Sequence, residues 1–319
     1  MRIFLTGATG VIGKRVVPQL IAAGHEVTAV GRTPEKRASL TRQGANAVEV
    51  DLFDRAALRS VIAGHEAVIN LATSIPPSSR TLLPGAWREN DRIRRVASHN
   101  IAEAALAGGA KRLVQESFAP IYPDCGDEWI DESTPVRPVR YNRSVVDAEA
   151  AAERFTSGGR VGVVLRFAFF YGADSDFTLD IIRLVRSGWA PALGSPGGFI
   201  SSVTHDDAAS AVVAALGLPA GAYNVVDDEP LRRREFFDSL AAVLGVAPPK
   251  FPPRWLARVT GSLGEMLARS QRIANRKLKA ESGWTPTVPS AREGWPLIAR
   301  QLSATGRLRP PTYELRPTS

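Results

Sequence analysis

The sequence has 319 residues, of which 44% are hydrophobic and 23% charged, as in a globular protein with a large core. No apolar run approaches the ~18 residues of a membrane helix, and the single cysteine, Cys125, excludes an internal disulfide. The net charge of +8 comes from scattered arginines without interleaved aromatic residues, so compositional bias is favoured over nucleic-acid binding. We expect a cytoplasmic protein, without a signal peptide, that binds neither membrane nor nucleic acid.

The first half of the chain alternates strand patterns with helix patterns. The β-rich runs predict strands at residues 2–7, 26–32, 46–52, 66–72, 111–117 and 161–172. The amphipathic runs predict helices at residues 11–24, 54–62, 87–109 and 141–155. This alternation with short turns predicts an α/β protein of the Rossmann type, a doubly wound parallel sheet with helices on both faces. Such sheets bind ligands beyond the carboxyl ends of their strands.

Beyond about residue 173 the alternation breaks up. Helix patterns occur at residues 178–188, 206–217, 233–245 and 254–282, with one strand pattern at 222–227. We therefore predict a Rossmann domain at residues 1–173 and a smaller substrate lobe built from mixed segments of 174–307, some of which return to the sheet. Residues 308–319 are predicted to be a loose tail.

The segment "TGATGVIG" places Gly7, Gly10 and Gly13 between the first strand and the first helix. Gly7 would permit the tight turn, Gly10 would let the backbone approach a pyrophosphate, and Gly13 would let helix and strand pack closely. The strand–turn–helix context favours a dinucleotide site over a tight turn without a ligand. The remaining predicted contacts of this loop are Thr9, Val11 and Ile12.

The end of the second strand indicates which dinucleotide is bound. An NAD-selective site usually carries an acidic residue there, but this chain has Gly31 and Arg32. Arg32 could meet a 2′-phosphate, with Lys36 and Arg37 adding charge. The alternative is a solvated loop arginine. We predict that NADP(H) is favoured over NAD(H).

Five motifs in order, "TGATGVIG", "VDLFD", "NLAT", "YNRSVVDAE" and "FFYG", resemble the extended short-chain dehydrogenase/reductase family. These are the NAD(P)-dependent epimerase/dehydratase-like proteins. "VTHDDAASA", "AYNVVDDEP" and "GWTPTVPSAREGW" extend the resemblance over almost the whole chain. The resemblance implies further cofactor contacts from Asp51, Leu52, Leu71, Ala72, Thr73, Ser117, Tyr141 and Phe167.

The catalytic motif of the family is only partly present. Its Tyr-x-x-x-Lys pair falls on Tyr141 and Val145, and its Ser or Thr falls on Phe118, with Ser117 adjacent. An ammonium lowers the pKa of the tyrosine and holds the nicotinamide ribose, and valine does neither. We predict that Tyr141, assisted by Ser117, acts as a neutral acid in reduction, although Tyr141 could be a packed aromatic residue.

The expected substrate pocket is apolar. The predicted contacts are Phe118, Tyr122, Phe169, Phe170 and Tyr171, of which the two tyrosines are equally compatible with the core. No metal-ligand spacing is present among the histidines and the cysteine.

The favoured function is an NADP(H)-dependent oxidoreductase that reduces a carbonyl of a small, fairly apolar substrate. The alternatives are a nucleotide-sugar epimerase or dehydratase, which Val145 and Phe169 disfavour, and a non-catalytic NADP-binding sensor or partner protein. A homodimer is possible.

Overall fold

The computed structural model of the protein describes residues 1–308 except 82, 84, 158 and 254. Most of the predicted tail, residues 309–319, lies outside the described residues. Leu308, the first residue of that predicted tail, is instead buried against the second apolar core. Within the described part of the chain, no helix is both long enough and apolar enough to cross a lipid bilayer.

The strands are short and most of them are buried. They are β1 (Arg2–Thr6), β2 (Glu26–Val30), β3 (Asn46–Val48), β4 (Ala67–Asn70), β5 (Arg112–Phe118), β6 (Trp129–Ile130), β7 (Val161–Phe167), β8 (Phe169–Tyr171), β9 (Phe199–Ile200), β10 (Ser202–Thr204), β11 (Gly221–Val225), β12 (Leu231–Arg232) and β13 (Arg272–Ile273).

The helices connect these strands. They are α1 (Gly13–Ala22), α2 (Pro34–Arg42), α3 (Arg55–Ile62), α4 (Arg88–Arg92), α5 (Ser98–Ala107), α6 (Ser144–Thr156), α7 (Asp176–Arg186), α8 (His205–Ala214), α9 (Arg233–Leu244), α10 (Leu256–Val259), α11 (Gly261–Ala268), α12 (Arg276–Ser282) and α13 (Ala291–Ala304). A turn of π-helix (Ile93–Ala97) joins α4 to α5.

The predicted doubly wound sheet is confirmed. Seven parallel strands lie in the order β11-β7-β5-β4-β1-β2-β3, so that their carboxyl ends share one edge. Helices α1 and α8 cover one face, while α3, α5 and α6 cover the other. Because both faces are covered, the central strands are apolar on both sides, as parallel sheets require.

The part of the chain after residue 173 contributes to two places. Strand β11 returns to the main sheet and pairs with β7. Helices α7, α9 and α13 enclose a second apolar core around Tyr171, Phe236 and Trp295. The division at residue 173 therefore stays a prediction.

Two predicted elements are divided in the structure. The run at 161–172 forms two strands, because after Ala168 the chain leaves the main sheet and β8 pairs with β10. The run at 254–282 was wrongly predicted as one helix. Gly261, with φ 62°, turns the chain between α10 and α11. Arg269 then anchors an extended segment by donating to the carbonyls of Tyr122 and Arg137, and β13 follows beside β6.

Two helices, α2 and α13, were not predicted from the sequence. Helix α2 buries only Leu40 and so carries little apolar periodicity. Helix α13 contains Pro296, a residue that usually argues against a helix interior.

A charged cluster ties the loop after β8 to the start of α1. The Asp174 carboxylate accepts hydrogen bonds from Arg15 at 2.8 and 3.1 Å, contacts His205 Nδ1 at 2.9 Å, and forms an ion pair with Lys14. Burial alone would raise the pKa of Asp174, but the hydrogen bonds from His205, Arg15 and Lys14 outweigh it and hold this pKa well below its usual range. The carboxylate thus fastens the second core to the first.

We predict that Asp174→Asn lowers the free energy of unfolding at pH 7 by about 1–3 kcal/mol, because three cationic or donor groups lose their partner. A depressed folded-state pKa stabilises the fold above the ordinary Asp pKa of ~4, and this contribution is lost progressively below it. The difference between the two proteins in urea unfolding should therefore shrink below pH ~4. Asp176→Asn, at a carboxylate whose side chain is 93% exposed, is the control and should change little. A constant difference down to pH 2 would contradict the assignment.

Candidate active site

The predicted glycine loop lies at the carboxyl end of β1, and its three glycines meet different surroundings. A Cβ on Gly7, where φ is 70°, would lie 2.3 Å from the Leu71 carbonyl oxygen, and one on Gly13 would lie 2.1 Å from the Gly7 oxygen. A Cβ on Gly10 would meet only the Gly7 oxygen, at 3.3 Å. Gly7 and Gly13 are therefore needed for packing, whereas Gly10 leaves the backbone open to a ligand.

The backbone of this loop fits an anionic group. The N–H groups of Val11, Ile12 and Gly13 have no acceptor among the described residues, and they stand at the start of α1. Unpaired N–H groups at a helix N-terminus, together with the helix dipole, stabilise a phosphate. The open face over Gly10 and these donors are what a dinucleotide pyrophosphate requires.

A buried polar network supports the loop after β4, and the sequence analysis missed it. The Asn70 oxygen accepts hydrogen bonds from Thr6 Oγ1 at 2.6 Å and from the Ala72 N–H at 3.2 Å. Its amide nitrogen donates to Gln115 at 2.9 Å and to Ser98 at 3.2 Å. The sequence signal for this network was the set of polar residues Thr6, Asn70 and Gln115 at or near the ends of adjacent parallel strands. The network fixes the backbone of Leu71, Ala72 and Thr73, the predicted nicotinamide side.

The end of β2 presents the predicted cations. Arg37 lies across Gly31, donating to its carbonyl at 3.1 Å, and forms an ion pair with Glu49 at 2.7 Å. Lys36 is half-buried in the first turn of α2. Arg32 is exposed and has no hydrogen-bond or ion-pair partner in the part of the chain that the structure describes. Arg32 is therefore the side chain free to meet an added phosphate.

The predicted adenine contacts lie on the next strand connection. Asp51 is exposed and its carboxylate accepts from the Phe53 N–H at 2.9 Å, while Leu52 is half-buried. Leu52 packs against the small cluster that includes Ala72, so it lies near the loop after β4.

Tyr141 lies in a 3-10 turn (Arg140–Asn142) just before α6 and is half-buried. Its ring meets Trp87 edge-on with centroids 4.6 Å apart, and its hydroxyl has no hydrogen-bond partner among the described residues. Burial raises the pKa of the hydroxyl well above its usual value, Arg94 opposes this shift and Asp91 adds to it. Val145, one turn later, is fully buried. Tyr141 is thus a neutral acid with a free hydroxyl.

Ser117 does not assist Tyr141 in this structure, which corrects the prediction. Its hydroxyl donates to Glu149 at 2.5 Å, and Glu149 pairs with Arg166 at 2.8 and 2.9 Å. The reason is the alternation of side chains along a strand. Ser117 faces α6, as does Arg166, the residue opposite it on β7, whereas Phe118 points to the other side.

Tyr122 and Tyr171 are core residues, so the prediction that they contact substrate is wrong. Both side chains are fully buried. The Tyr122 hydroxyl donates to Asn224 at 2.9 Å and accepts from Arg166 at 2.7 Å, and burial raises its pKa to about 12. Tyr171 packs against Trp295, with ring centroids 4.9 Å apart.

The phenylalanines divide between core and site. Phe118, Phe169 and Phe170 are half-buried and remain candidates for an apolar pocket wall. Phe167 is 3% exposed and packs in the main core against Phe170, with centroids 5.3 Å apart. The predicted cofactor contact of the Phe167 side chain is therefore not supported.

A second charged pair near Tyr141 was not predicted. Arg94, in the π-helical turn, donates to Glu116 at 3.1 and 3.3 Å, and both residues are buried. The signal available was Glu116 within the buried polar run Gln115–Ser117 at the end of β5.

A protein family described as NAD(P)H-binding matches residues 7–165. The chain is 34% identical to a 3-diazoavenalumate denitrifying reductase from Streptomyces over 305 residues, which cover 92% of this chain and 99% of that protein. It is 27% identical over 282 residues to a Stigmatella aurantiaca ketoreductase whose substrate is named as a 4-hydroxy-2-methyl-3-oxo-4-farnesyl-3,4-dihydroquinoline-1-oxide. That match covers 85% of this chain and 81% of the ketoreductase.

Solved structures share the fold. A human epimerase family protein with NADPH superposes with a TM-score of 0.78 at 23% identity, covering 95% of this chain and 100% of that one. UDP-glucose 4-epimerase from Thermotoga maritima, with UDP-glucose, gives 0.78 at 22% identity over 96% of this chain and 99% of the epimerase. The glycine loop, the parallel sheet and the reductase relative together show that the chain belongs to the extended short-chain dehydrogenase/reductase family of NAD(P)-binding oxidoreductases.

Proposed function

We propose that the protein is an NADP(H)-dependent reductase that acts on a small, fairly apolar carbonyl compound, with Tyr141 as the proton donor. The bound nicotinamide would supply the hydride. The observation that carries the proposal is the neutral, unpaired hydroxyl of Tyr141 at the edge of the sheet that also holds the glycine loop. The identity with two reductases supports the direction of the reaction.

The state of Tyr141 favours reduction over oxidation. Reduction of a carbonyl needs a proton for the new alkoxide, and a neutral phenol carries one. Oxidation needs a base, and burial disfavours the phenolate. Val145 supplies no compensating charge, so the oxidative direction should be slow at neutral pH.

The surroundings of Tyr141 support an apolar substrate. Trp87 lies against its ring, and α11 packs beside the turn that holds Tyr141. The adjoining segments expose several large apolar side chains, and a cluster of such side chains is typical of a surface that contacts a ligand or partner. These are Ile75, Leu83, Trp255, Val259 and Leu267.

We predict that NADPH binds more tightly than NADH, because the free guanidinium of Arg32 can pair with the 2′-phosphate. Arg32→Ala should reduce the NADPH affinity about tenfold or more, and leave the NADH affinity nearly unchanged. Calorimetric titration of both cofactors measures this. Arg42→Ala, at the exposed far end of α2, is the matched control. If NADPH and NADH bind equally tightly and Arg32→Ala changes neither affinity, the predicted preference for NADPH is wrong.

We also predict that Gly10→Ala weakens NADPH binding about tenfold or more while the melting temperature falls by less than ~3 °C. The added methyl would meet little of the protein but would stand where the backbone must approach the pyrophosphate. Gly217→Ala is the control, since its Cβ would meet only the Ala214 oxygen, at 3.6 Å. Unchanged NADPH affinity in Gly10→Ala would place the phosphates elsewhere.

The test of the catalytic role is Tyr141→Phe, which should lower kcat for carbonyl reduction by about 10²–10⁴-fold with nearly intact NADPH affinity. Because burial raises the pKa of Tyr141 above its ordinary ~10, the wild-type reduction rate should not fall between pH 7 and ~10. Steady-state kinetics on a panel of aromatic and alicyclic ketones gives both values. Full turnover by Tyr141→Phe would show that the tyrosine is only a packed aromatic residue.

A second candidate function is reductive removal of a diazo group. The specific observation is the loss of the proton relay, since Val145 replaces the lysine and the Ser117 hydroxyl is engaged by Glu149. When hydrogen replaces an aryl diazonium group, the substrate takes up one hydride and releases N₂, so no net proton is needed. The diazo substrate named for the Streptomyces relative supports this candidate. Here Tyr141→Phe should keep most of the activity with an arenediazonium salt and NADPH, which separates the two candidates.

The other functions receive less support. Phe169 stands where a nucleotide-sugar enzyme would place a polar contact, and the likeness to epimerase structures is one of fold. A non-catalytic NADP-binding protein would bind cofactor but reduce neither ketones nor diazonium salts. A cytoplasmic location and a homodimer stay predictions.

A further inference from the structure

We propose that Arg94, held in place by Glu116, supplies the positive charge beside Tyr141 that the family lysine would otherwise provide. The inference rests on the proposed reductase function and extends it to a positioning residue. Arg94 lies on the α4–π–α5 helix, which contacts three segments of the candidate site.

Three side chains of this helix reach three different segments. Asn90 accepts from the Ser74 N–H at 2.9 Å and so holds the loop after β4. Asp91 accepts from Ser144 Oγ at 2.6 Å at the start of α6, three residues after Tyr141. Arg94 binds Glu116 near the end of β5. The helix therefore sets the distances between these segments.

The turn that carries Arg94 is π-helical over Ile93–Ala97. Such a turn inserts one extra residue into an α-helix, which changes the direction of the following side chains, and it is frequent at functional sites. The helix before and after it is regular. The turn gives Arg94 a position that an uninterrupted helix would not offer.

The guanidinium of Arg94 keeps unused hydrogen-bonding capacity. It has five N–H donors, and Nε and one Nη2 hydrogen bond to Glu116. Nη1 has no hydrogen-bond partner among the described residues. The side chain is only 7% exposed, so its charge is weakly screened by water. Glu116 fixes this charge, and Nη1 stays available.

Arg94 follows Trp87 and Asp91 on a helix that contacts the ring of Tyr141 through Trp87 and the Ser144 hydroxyl through Asp91. Burial raises the pKa of the Tyr141 hydroxyl and Asp91 adds to that rise, whereas the charge of Arg94 acts to lower it. In Arg166, another buried arginine, each of the three guanidinium nitrogens already donates to Glu149 or Tyr122. Val145, in the position of the lysine, is buried and neutral.

A fixed positive charge there would assist the reduction directly. Hydride adds to the carbonyl carbon, the C=O π pair moves to oxygen, and that oxygen takes the proton of Tyr141. Tyr141 becomes a phenolate until water reprotonates it. Arg94 stabilises the negative charge as it passes from the alkoxide to the phenolate, and does so more strongly than a neutral side chain would.

The experiment uses the full chain and reads Tyr141 directly, without a substrate. 3,5-Difluorotyrosine is incorporated at position 141 and its pKa is titrated by ¹⁹F NMR. Arg94→Gln should raise this pKa by about one unit, because the opposing cation is lost. Arg94→Lys should restore most of the wild-type value. Arg95→Gln, at the exposed neighbouring arginine, should leave the value unchanged.

A second variant keeps the test decisive if Arg94→Gln does not fold. Glu116→Gln leaves the charge of Arg94 uncompensated, so the pKa at position 141 should fall. A pKa at position 141 that is the same in wild type, Arg94→Gln and Glu116→Gln would overturn the proposal, as would a rise with Glu116→Gln.

Kinetics connects the charge to the reaction. Arg94→Gln should lower kcat for ketone reduction by about 10²–10³-fold, the usual effect of losing one group that stabilises an oxyanion. The NADPH affinity should change less than about threefold, and Arg94→Lys should recover at least a tenth of the wild-type kcat. A loss of kcat that Arg94→Lys does not relieve, with no shift in the ¹⁹F titration, would mean a purely structural ion pair. If wild type reduces no ketone, the proposed function fails while the NMR titration still decides the role of Arg94.

Discussion

The close approach of α1 to the end of β1 is the constraint on which the site depends. The backbone at Gly13 lies so near the Gly7 carbonyl that a Cβ there would stand 2.1 Å from its oxygen, and Gly7 lies equally close to the backbone of Leu71. These two contacts bring the first turn of α1 and the loop after β4 to the same edge of the sheet. The unpaired N–H groups of α1 and the segment expected beside the nicotinamide are positioned together as a result.

Two buried ion pairs, Glu149–Arg166 and Arg94–Glu116, lie toward the carboxyl ends of β7 and β5. Glu149 and Arg166 hydrogen bond with Ser117 and Tyr122 in one network, and Tyr122 extends it to Asn224, whose buried Nδ2 has no partner among the described residues. Such a network fixes α6 on β5 and β7 and has little left to offer a ligand. Arg94 and Glu116 form a smaller network that is not closed, because Nη1 of Arg94 has no partner within the described chain. The first pair is structural, and the second is the one that can act on Tyr141.

The sheet and the glycine loop could be predicted from the sequence, because both depend on local residue patterns. Strand and helix periodicity needs only a dozen residues, and the roles of Gly7 and Gly13 follow from their spacing across one turn. The contacts of the Ser117 and Tyr122 side chains could not be predicted in this way. The surroundings of Ser117, at the end of β5, and of Tyr122, after it, depend on where the neighbouring strands end and on the charges that α6 and β7 contribute, and neither can be read from a local pattern. The prediction of one helix at 254–282 failed for a related reason, since the Arg269 side chain donates to carbonyls that lie far away in sequence.

Under the proposed function, Val145 at the position of the family lysine selects the direction of the reaction rather than abolishing it. A lysine beside the tyrosine favours the phenolate, which is the base that oxidation needs. Here burial favours the phenol, and Arg94 is partly neutralised by Glu116, so its field is too weak to make the phenolate common at rest. Its effect grows only when negative charge develops on the substrate oxygen and on Tyr141. A charge that is compensated in the resting site, yet available to the transition state, stabilises the reduction selectively.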